Sequence, residues 1–392
     1  MKFKRILIVL MLLVIAWGLI AMLRPLPAIQ PAYNKLEPVA VKPVNLPWPA
    51  SGQAAIGALG YGLLSSNGSQ QPAPMASVAK VVTALAVLKQ KPLATGDQGP
   101  TITLDNTDVG YYQSYASQGG SVAKVVNGET ISEYQALETM LLPSANNVAE
   151  SLARWAFGSP EQYLAYANTF VKTLGLTQTT LADASGFSAQ TMSTAKDLVN
   201  LGLAAENDPV LAQIVSQSQA DVPVAGNIKN TNWLLGDDGF VGIKTGNTDE
   251  AGGCYLFASN QTVDGHTVKL VGSVMGVPKL TDAVNGGKTL ADGAKNAFVS
   301  TNVIKAGQSL GSYVLPWGGS VAVIAQKAVT VTAWQDTKIV PAVSLVLVKA
   351  PLGADARVGT FSVTANQKSQ SGQAILKEAI PRPPLWWRLT HL

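Results

Sequence analysis

The chain has 392 residues, 47% of them hydrophobic and 13% charged, which leaves room for two packed domains and excludes a disordered or low-complexity protein. A formal net charge of +4 without any basic stripe argues against a nucleic-acid partner. The single cysteine, Cys254, cannot form an internal disulfide, and with two histidines it leaves too few soft ligands for zinc, so no metal or cofactor is expected.

Lys2, Lys4 and Arg5 precede the apolar run Ile6 to Leu23, which Arg24 and Pro25 close. About 18 apolar residues are just enough to cross a bilayer and long for the core of a cleaved signal. The excess of basic residues before the run predicts a cytoplasmic N-terminus and an exported remainder, so residues 1–23 read as an uncleaved anchor to the cytoplasmic membrane, or as a signal segment if cleaved. Residues 24–50 carry Pro25, Pro27, Pro31, Pro38, Pro43, Pro47 and Pro49, the pattern of an extended linker. From Ala54 to Ser66, small and apolar residues alternate as in strands, and Ser65-Ser66-Asn67-Gly68 reads as a turn.

Pro74-Met75-Ala76-Ser77-Val78-Ala79-Lys80 then runs into Val81 to Leu88, an apolar helix that ends before Pro92. Residues three apart on a helix share a face, so the Ser77 hydroxyl and the Lys80 amine can meet, as an activated nucleophile and its base must. The competing explanation is a helix cap. Ser-x-x-Lys also occurs at Ser121–Lys124, where alternation predicts a strand, and at Ser193–Lys196, where Thr194 and Asp197 predict a capping box. Neither histidine suits a Ser-His-Asp triad: His266 lies beside the hairpin turn Asp264-Gly265, and His391 is the penultimate residue.

Tyr134 to Leu142 reads as a helix that Pro143 breaks, with a second helix following through Ala153, so Ser144 and Asn146 share a polar corner. Val241 to Thr248, Gly252 to Ser259 and Val268 to Met275 read as three adjacent antiparallel strands, the first carrying Lys244-Thr245-Gly246-Asn247. Lys244 and the Thr245 hydroxyl offer what an anionic carboxylate needs, and Gly246 lets a ligand backbone approach the strand. After Ser300 come four short alternating strands between turn signals, which predicts a small all-β sandwich over 301–380. In the tail 381–392, Trp386 and Trp387 stand between arginines, as at a membrane–water interface. The competing expectation is that these rings cover the β domain.

Ser-x-x-Lys, Ser-x-Asn and Lys-Thr-Gly, in this order, resemble the penicillin-recognising serine hydrolases. The contexts Leu141-Leu142-Pro143-Ser144-Ala145-Asn146-Asn147, Asp183-Ala184-Ser185-Gly186-Phe187 and Gly242-Ile243-Lys244-Thr245-Gly246 narrow the resemblance to the low-molecular-mass D-alanyl-D-alanine carboxypeptidases. It implies an α+β, β-lactamase-like catalytic domain over 51–298, with an antiparallel sheet and a helical subdomain, followed by the β-sandwich. It also implies that Ser77 is acylated by peptidoglycan stem peptides and by β-lactam antibiotics, with Lys80 as base and Ser144 relaying a proton to the leaving amine. Asn146 would hold the substrate amide, Lys244 and Thr245 the terminal carboxylate, and the backbone N–H groups of Ser77 and Asn247 the oxyanion. One departure stands out: Ala54 to Ser66 lacks the family's usual Asp-x-x-Thr-Gly turn. A class A β-lactamase is the rival within the same superfamily, and against it Asp183 is the only acidic residue between Thr177 and Ser193, with no match to the deacylating loop of those enzymes. A catalytically silent penicillin-binding scaffold is the alternative from another functional class.

Overall fold

The structure, a computed structural model, describes residues 2–365 and 368–391. The chain divides into two compact units, one of residues 43–298 and one of residues 1–42 with 299–392. The second opens with α1 (Lys2–Leu23), whose apolar side chains face outwards along almost its whole length. At 1.5 Å per residue such a helix spans about 33 Å, the thickness of a bilayer's hydrocarbon core.

The 43–298 unit is a sheet packed against helices. Its antiparallel sheet is formed by β1 (Gln53–Ala58), β2 (Gly62–Asn67), β3 (Phe240–Thr248), β4 (Gly252–Val263) and β5 (His266–Val277), in the order β3-β4-β5-β1-β2. The three expected strands around Lys244 are therefore neighbours, and β3 lies at the sheet's edge. Asp264 and Gly265 close the β4–β5 hairpin with φ of 46° and 78°, the left-handed pair that a tight turn matched to strand twist requires. Ser65, Ser66 and Asn67, expected in a turn, lie inside β2; the reversal falls earlier, at Leu59–Tyr61, where Gly60 and Gly62 supply the positive φ.

Eight helices belong to this unit: α2 (Ala79–Gln90), α3 (Asn106–Ser117), α4 (Glu133–Leu141), α5 (Asn146–Phe157), α6 (Pro160–Thr173), α7 (Ala195–Asn207), α8 (Pro209–Val215) and α9 (Leu280–Lys295). Every residue of α2 from Ala79 to Leu88 is buried, so this helix is apolar all round and forms the centre about which α4, α5, α6 and α7 pack. Each fully buried Val or Leu there contributes about 1.5–3 kcal/mol, which is why the one charged side chain in the row, Lys80, needs a specific explanation.

The second unit is built on a seven-stranded antiparallel sheet, faced by the ladder that Val329–Trp334 forms with the strand ending at Ile304. Two of the seven strands come from the proline-rich stretch expected to be a linker: Pro31–Tyr33 pairs with Ser309–Val314, and Val39–Ala40 with Lys338–Leu345. Ile29 and Val41 are buried in the same core. Farther on, Pro47 and Pro49 rest against α9. Pro31 is tolerated because it begins a short edge strand, where a missing N–H costs no ladder bond.

Candidate active site

The Ser77 segment owes its shape to the elements around it. Ala73–Pro74 pairs with Met192–Ser193, and a single 3-10 turn, Ala76–Val78, then leads into α2. Ala76 takes φ 48°, a left-handed conformation that costs a non-glycine residue on the order of 1–2 kcal/mol. What holds it there is the loop Asp183–Phe187: Gly186, itself at φ 76°, lies so close that any Cβ at 186 would collide with the Ala76 carbonyl. The cap explanation for Ser77 does not apply, because the N-cap of α2 is Val78 and its first turn receives no side-chain cap bond.

The Ser77 hydroxyl instead meets Lys80, with Oγ and Nζ 2.8 Å apart. Nζ also bonds to Asn146 Oδ1 at 2.7 Å and to the Ser185 carbonyl at 2.8 Å. A neutral amine has two N–H groups, which Asn146 and Ser185 accept; its lone pair is then left facing the Ser77 O–H. That is the geometry of a general base. Complete burial, and then the positive charge of Lys244, hold the Lys80 pKa well below the ordinary lysine range, against the opposing pull of Asp183 and Glu150. At the ordinary value only about one lysine in 2,500 is neutral at pH 7, so the socket removes the main obstacle to its acting as a base.

The Ser185 carbonyl is aimed by its own loop. The Asp183 carboxylate accepts from the Ser185 hydroxyl at 2.6 Å, the Phe187 N–H at 2.8 Å and the Thr191 hydroxyl at 2.5 Å. Thr83, one turn beyond Lys80, bonds the Ala184 carbonyl. Glu150, buried beside this loop, accepts from the Tyr115 hydroxyl at 3.0 Å, and burial raises its pKa. Spacing alone reveals none of these supports; the sequence signal for them was the Asp183–Phe187 segment itself.

Pro143 separates α4 from α5, and Ser144 at the corner is buried with φ 67°. Ser144 is not among the three partners of Lys80. Asn146 opens α5, its N–H donating to the Ser121 carbonyl at 2.8 Å, while the next residue, Asn147, bonds both the N–H and the C=O of Ala123. The Ser121–Lys124 segment is thus not the expected strand: the N–H and C=O of its Ala123 bond a side chain rather than a ladder partner, and its first residue, Ser121, lines the cleft over Ser77 together with Gln118, Gly119 and Gly120.

On the other side lies β3. Lys244 and Thr245 are buried, with Lys244 Nζ donating to the Thr245 carbonyl at 3.1 Å and the Thr245 and Thr231 hydroxyls 2.7 Å apart. Burial pulls the Lys244 pKa down to about 7. A Cβ on Gly246 would stand 3.0 Å from both Ala76 Cβ and Ser77 N. The glycine therefore lets β3 approach the Ser77 turn itself, a closer requirement than the passing ligand expected from the sequence. Asn247 is exposed beyond it, and the open cleft of about 330 Å³ is lined by Ser77, Gly120, Ser121, Asn146, Phe187 and Asn247.

Residues 58–279 match the family described as D-alanyl-D-alanine carboxypeptidase, more than half of the chain. The chain belongs to this family. It is 30% identical over 217 residues to the D-alanyl-D-alanine endopeptidase of Escherichia coli, a match spanning 53% of this chain and 66% of that protein. It is 26% identical over 249 residues to the E. coli D-alanyl-D-alanine carboxypeptidase DacA, spanning 62% and 60%. The fold resembles penicillin binding protein 5 from Haemophilus influenzae, with a TM-score of 0.61 at 19% identity over 88% of this chain and all of that one. It also resembles the Streptomyces K15 DD-transpeptidase, with a TM-score of 0.57 at 22% identity over 64% of this chain and 98% of that one.

Proposed function

We propose that the protein is a serine D-alanyl-D-alanine carboxypeptidase that trims peptidoglycan stem peptides and is acylated by penicillins. The observation that carries this reading is the 2.8 Å contact between the Ser77 hydroxyl and a fully buried Lys80 amine, with two acceptors already taking its N–H groups. Lys80 takes the Ser77 proton as Oγ attacks the carbonyl of the penultimate D-alanine. The bond to the terminal D-alanine breaks, its amine receiving a proton from Lys80 by way of Ser144, and water then hydrolyses the ester. Asn146 orients the substrate amide as well as Lys80. Lys244 and Thr245 hold the terminal carboxylate at the Gly246 strand, and the N–H groups of Ser77 and Asn247 hold the oxyanion, where losing one donor costs about 3–4 kcal/mol. No step calls for a metal or cofactor.

α1 supports anchoring in the cytoplasmic membrane, with the catalytic unit on the extracytoplasmic side: Phe3–Leu23 has a mean hydropathy of 3.1, and the basic residues precede it. A cleaved signal would instead release the protein. A second reading has one observation behind it: relatives in E. coli and Pseudomonas aeruginosa are named endopeptidases, so the cleaved bond would lie in a cross-linked peptide. Incubation with a diacyl-Lys-D-Ala-D-Ala tripeptide and, separately, with a cross-linked dimer tests both. D-alanine released from the first establishes the carboxypeptidase, and cleavage of the second alone the endopeptidase. Penicillin labelling of Ser77 without turnover of either would leave a silent scaffold.

A further inference from the structure

The loop Asn230-Thr231-Asn232 has no part in the reaction as set out above, yet it is pinned on both sides. Asn230 Nδ2 donates to the Val215 and Gln217 carbonyls, at 3.3 and 2.9 Å, where α8 ends. Asn232 Nδ2 donates to the Gly242 carbonyl of β3 at 3.1 Å, and its Oδ1 accepts from the Tyr255 hydroxyl of β4 at 3.0 Å. Between them, the Thr231 N–H donates to the Leu142 carbonyl at 3.0 Å, two residues before Ser144. Thr231 thus bridges the Ser144 corner and the edge strand β3, and its half-buried side chain has its hydroxyl 2.7 Å from that of Thr245.

Two hydroxyls carry two protons, and the bond between them uses only one. Among the described residues neither hydroxyl has a further acceptor, so one proton is left over. If Thr245 donates to Thr231, the spare proton sits on the loop. If Thr231 donates to Thr245, it sits on the buried strand residue whose carbonyl Lys244 Nζ already meets. An anion beside Lys244 selects the second arrangement, because only there does Thr245 have a proton to give. We infer that Thr231 is a positioning residue for the terminal carboxylate: it donates to Thr245 Oγ1 and so keeps the Thr245 proton free for the ligand. A hydroxyl that accepts one bond also donates a stronger one, so the chain from Thr231 to Thr245 to carboxylate is cooperative. The pinned backbone holds Thr231 in place for this, leaving its side chain little but the direction of one proton. The inference rests on the peptidase reading, which gives Thr245 the carboxylate; the hydroxyl pair does not.

A penicillin and its methyl ester test the role, since both carry the reactive ring and only the first carries the carboxylate. Second-order acylation rates with each are measured for the full chain and for its Thr231→Val and Thr231→Ser variants. Valine keeps the shape and removes the hydroxyl. It should lower the preference for the acid over the ester by about two- to tenfold, the worth of one hydrogen bond, and serine should restore that preference. Because the preference is a ratio, it does not depend on how much of a variant is folded. An equal loss with acid and ester, an unchanged preference in Thr231→Val, or no recovery in Thr231→Ser would overturn the inference and leave the loop a purely structural part. Acylation of the unaltered protein without any preference for the acid would sink the inference alone. No acylation of the unaltered protein by either compound would sink the peptidase reading and the inference with it.

Discussion

Ser77–Lys80 and Ser193–Lys196 are spelled alike at both ends, and the fold treats them oppositely. Between Ser77 and Lys80 the backbone is helical, with Val78 at φ −62° and ψ −24°, so the two side chains share a face, Ser77 lining the cleft and Lys80 buried. Between Ser193 and Lys196 stands Thr194, extended at φ −120° and ψ 158° because it caps α7 through its hydroxyl, so the chain changes direction inside the motif. Ser193 then bonds Thr179 in the interior, while Lys196 points to solvent. The expected capping box is only half present, since the Asp197 carboxylate turns to Gln178 and Thr179 instead. Three-residue spacing brings the two side chains together only where the backbone between them is helical throughout, here a 3-10 turn running into α2, and other elements bury the amine.

The largest test of that contrast is the nucleophile. Ser77→Ala should reduce penicillin labelling and D-alanine release by roughly 10⁴-fold or more, the scale seen when a serine nucleophile is removed, whereas Ser193→Ala and Ser121→Ala should keep their labelling. Mass spectrometry of the labelled peptide decides the point. Label retained in Ser77→Ala, or found on Ser121 or Ser193, would refute the assignment.

Next comes the division between the two buried lysines. Lys80→Arg puts a permanent cation where a neutral proton acceptor is required, and should lose about 10²–10⁴-fold in acylation rate, the usual worth of a general base. Lys244→Arg should lose about tenfold or less, because a carboxylate-binding cation survives the change. Equal losses, read by stopped-flow acylation, would contradict separate roles.

Much of this site was legible because its three motifs are short and each sits within one element. What was not legible depends on contacts across long stretches of chain. The Ser185 carbonyl reaches Lys80 from 105 residues away. Gly246 is required by Ala76 and Ser77, not by a turn of its own. Ser121–Lys124 alternates like a strand, yet Asn147 takes the hydrogen bonds that a strand partner would have made. The same holds for the fold: Pro31–Tyr33 and Val39–Ala40 look like linker because two or three residues carry no periodicity, and they become strands only through partners near residues 312 and 339.

A subtler consequence of the two lysines lies in pH. In the proposed mechanism Lys80 acts when neutral, so the rate rises as pH climbs through its lowered pKa; Lys244 acts as a cation, so the rate falls as pH climbs past about 7. The kcat/KM profile for acylation should therefore be bell-shaped, with an alkaline limb near 7 that changes the rate at most about tenfold per pH unit. Lys244→Arg should abolish that limb and leave the acid one, since guanidinium stays charged. An alkaline limb unchanged in Lys244→Arg would assign it to another group.

The smallest effect is expected at the C-terminal tail, where the structure separates the paired tryptophans. In α10 (Leu385–Thr390) Trp387 is 5% exposed, donates its indole N–H to the Pro316 carbonyl at 3.1 Å and meets Trp317 edge-on at 5.5 Å, so it covers the β unit. Trp386 is 60% exposed beside Leu385, and it remains the candidate for the membrane interface. Deleting the whole tail would confuse the two roles, because removing a buried tryptophan costs about 3–5 kcal/mol of packing. Trp386→Ala in protein lacking residues 1–23 isolates the interfacial one. We expect co-sedimentation with anionic vesicles to weaken by about three- to tenfold, with thermal stability and penicillin acylation unchanged, since an exposed ring contributes little to the fold. If that protein stays in solution equally with and without Trp386, the tail makes no membrane contact and anchoring belongs to α1 alone.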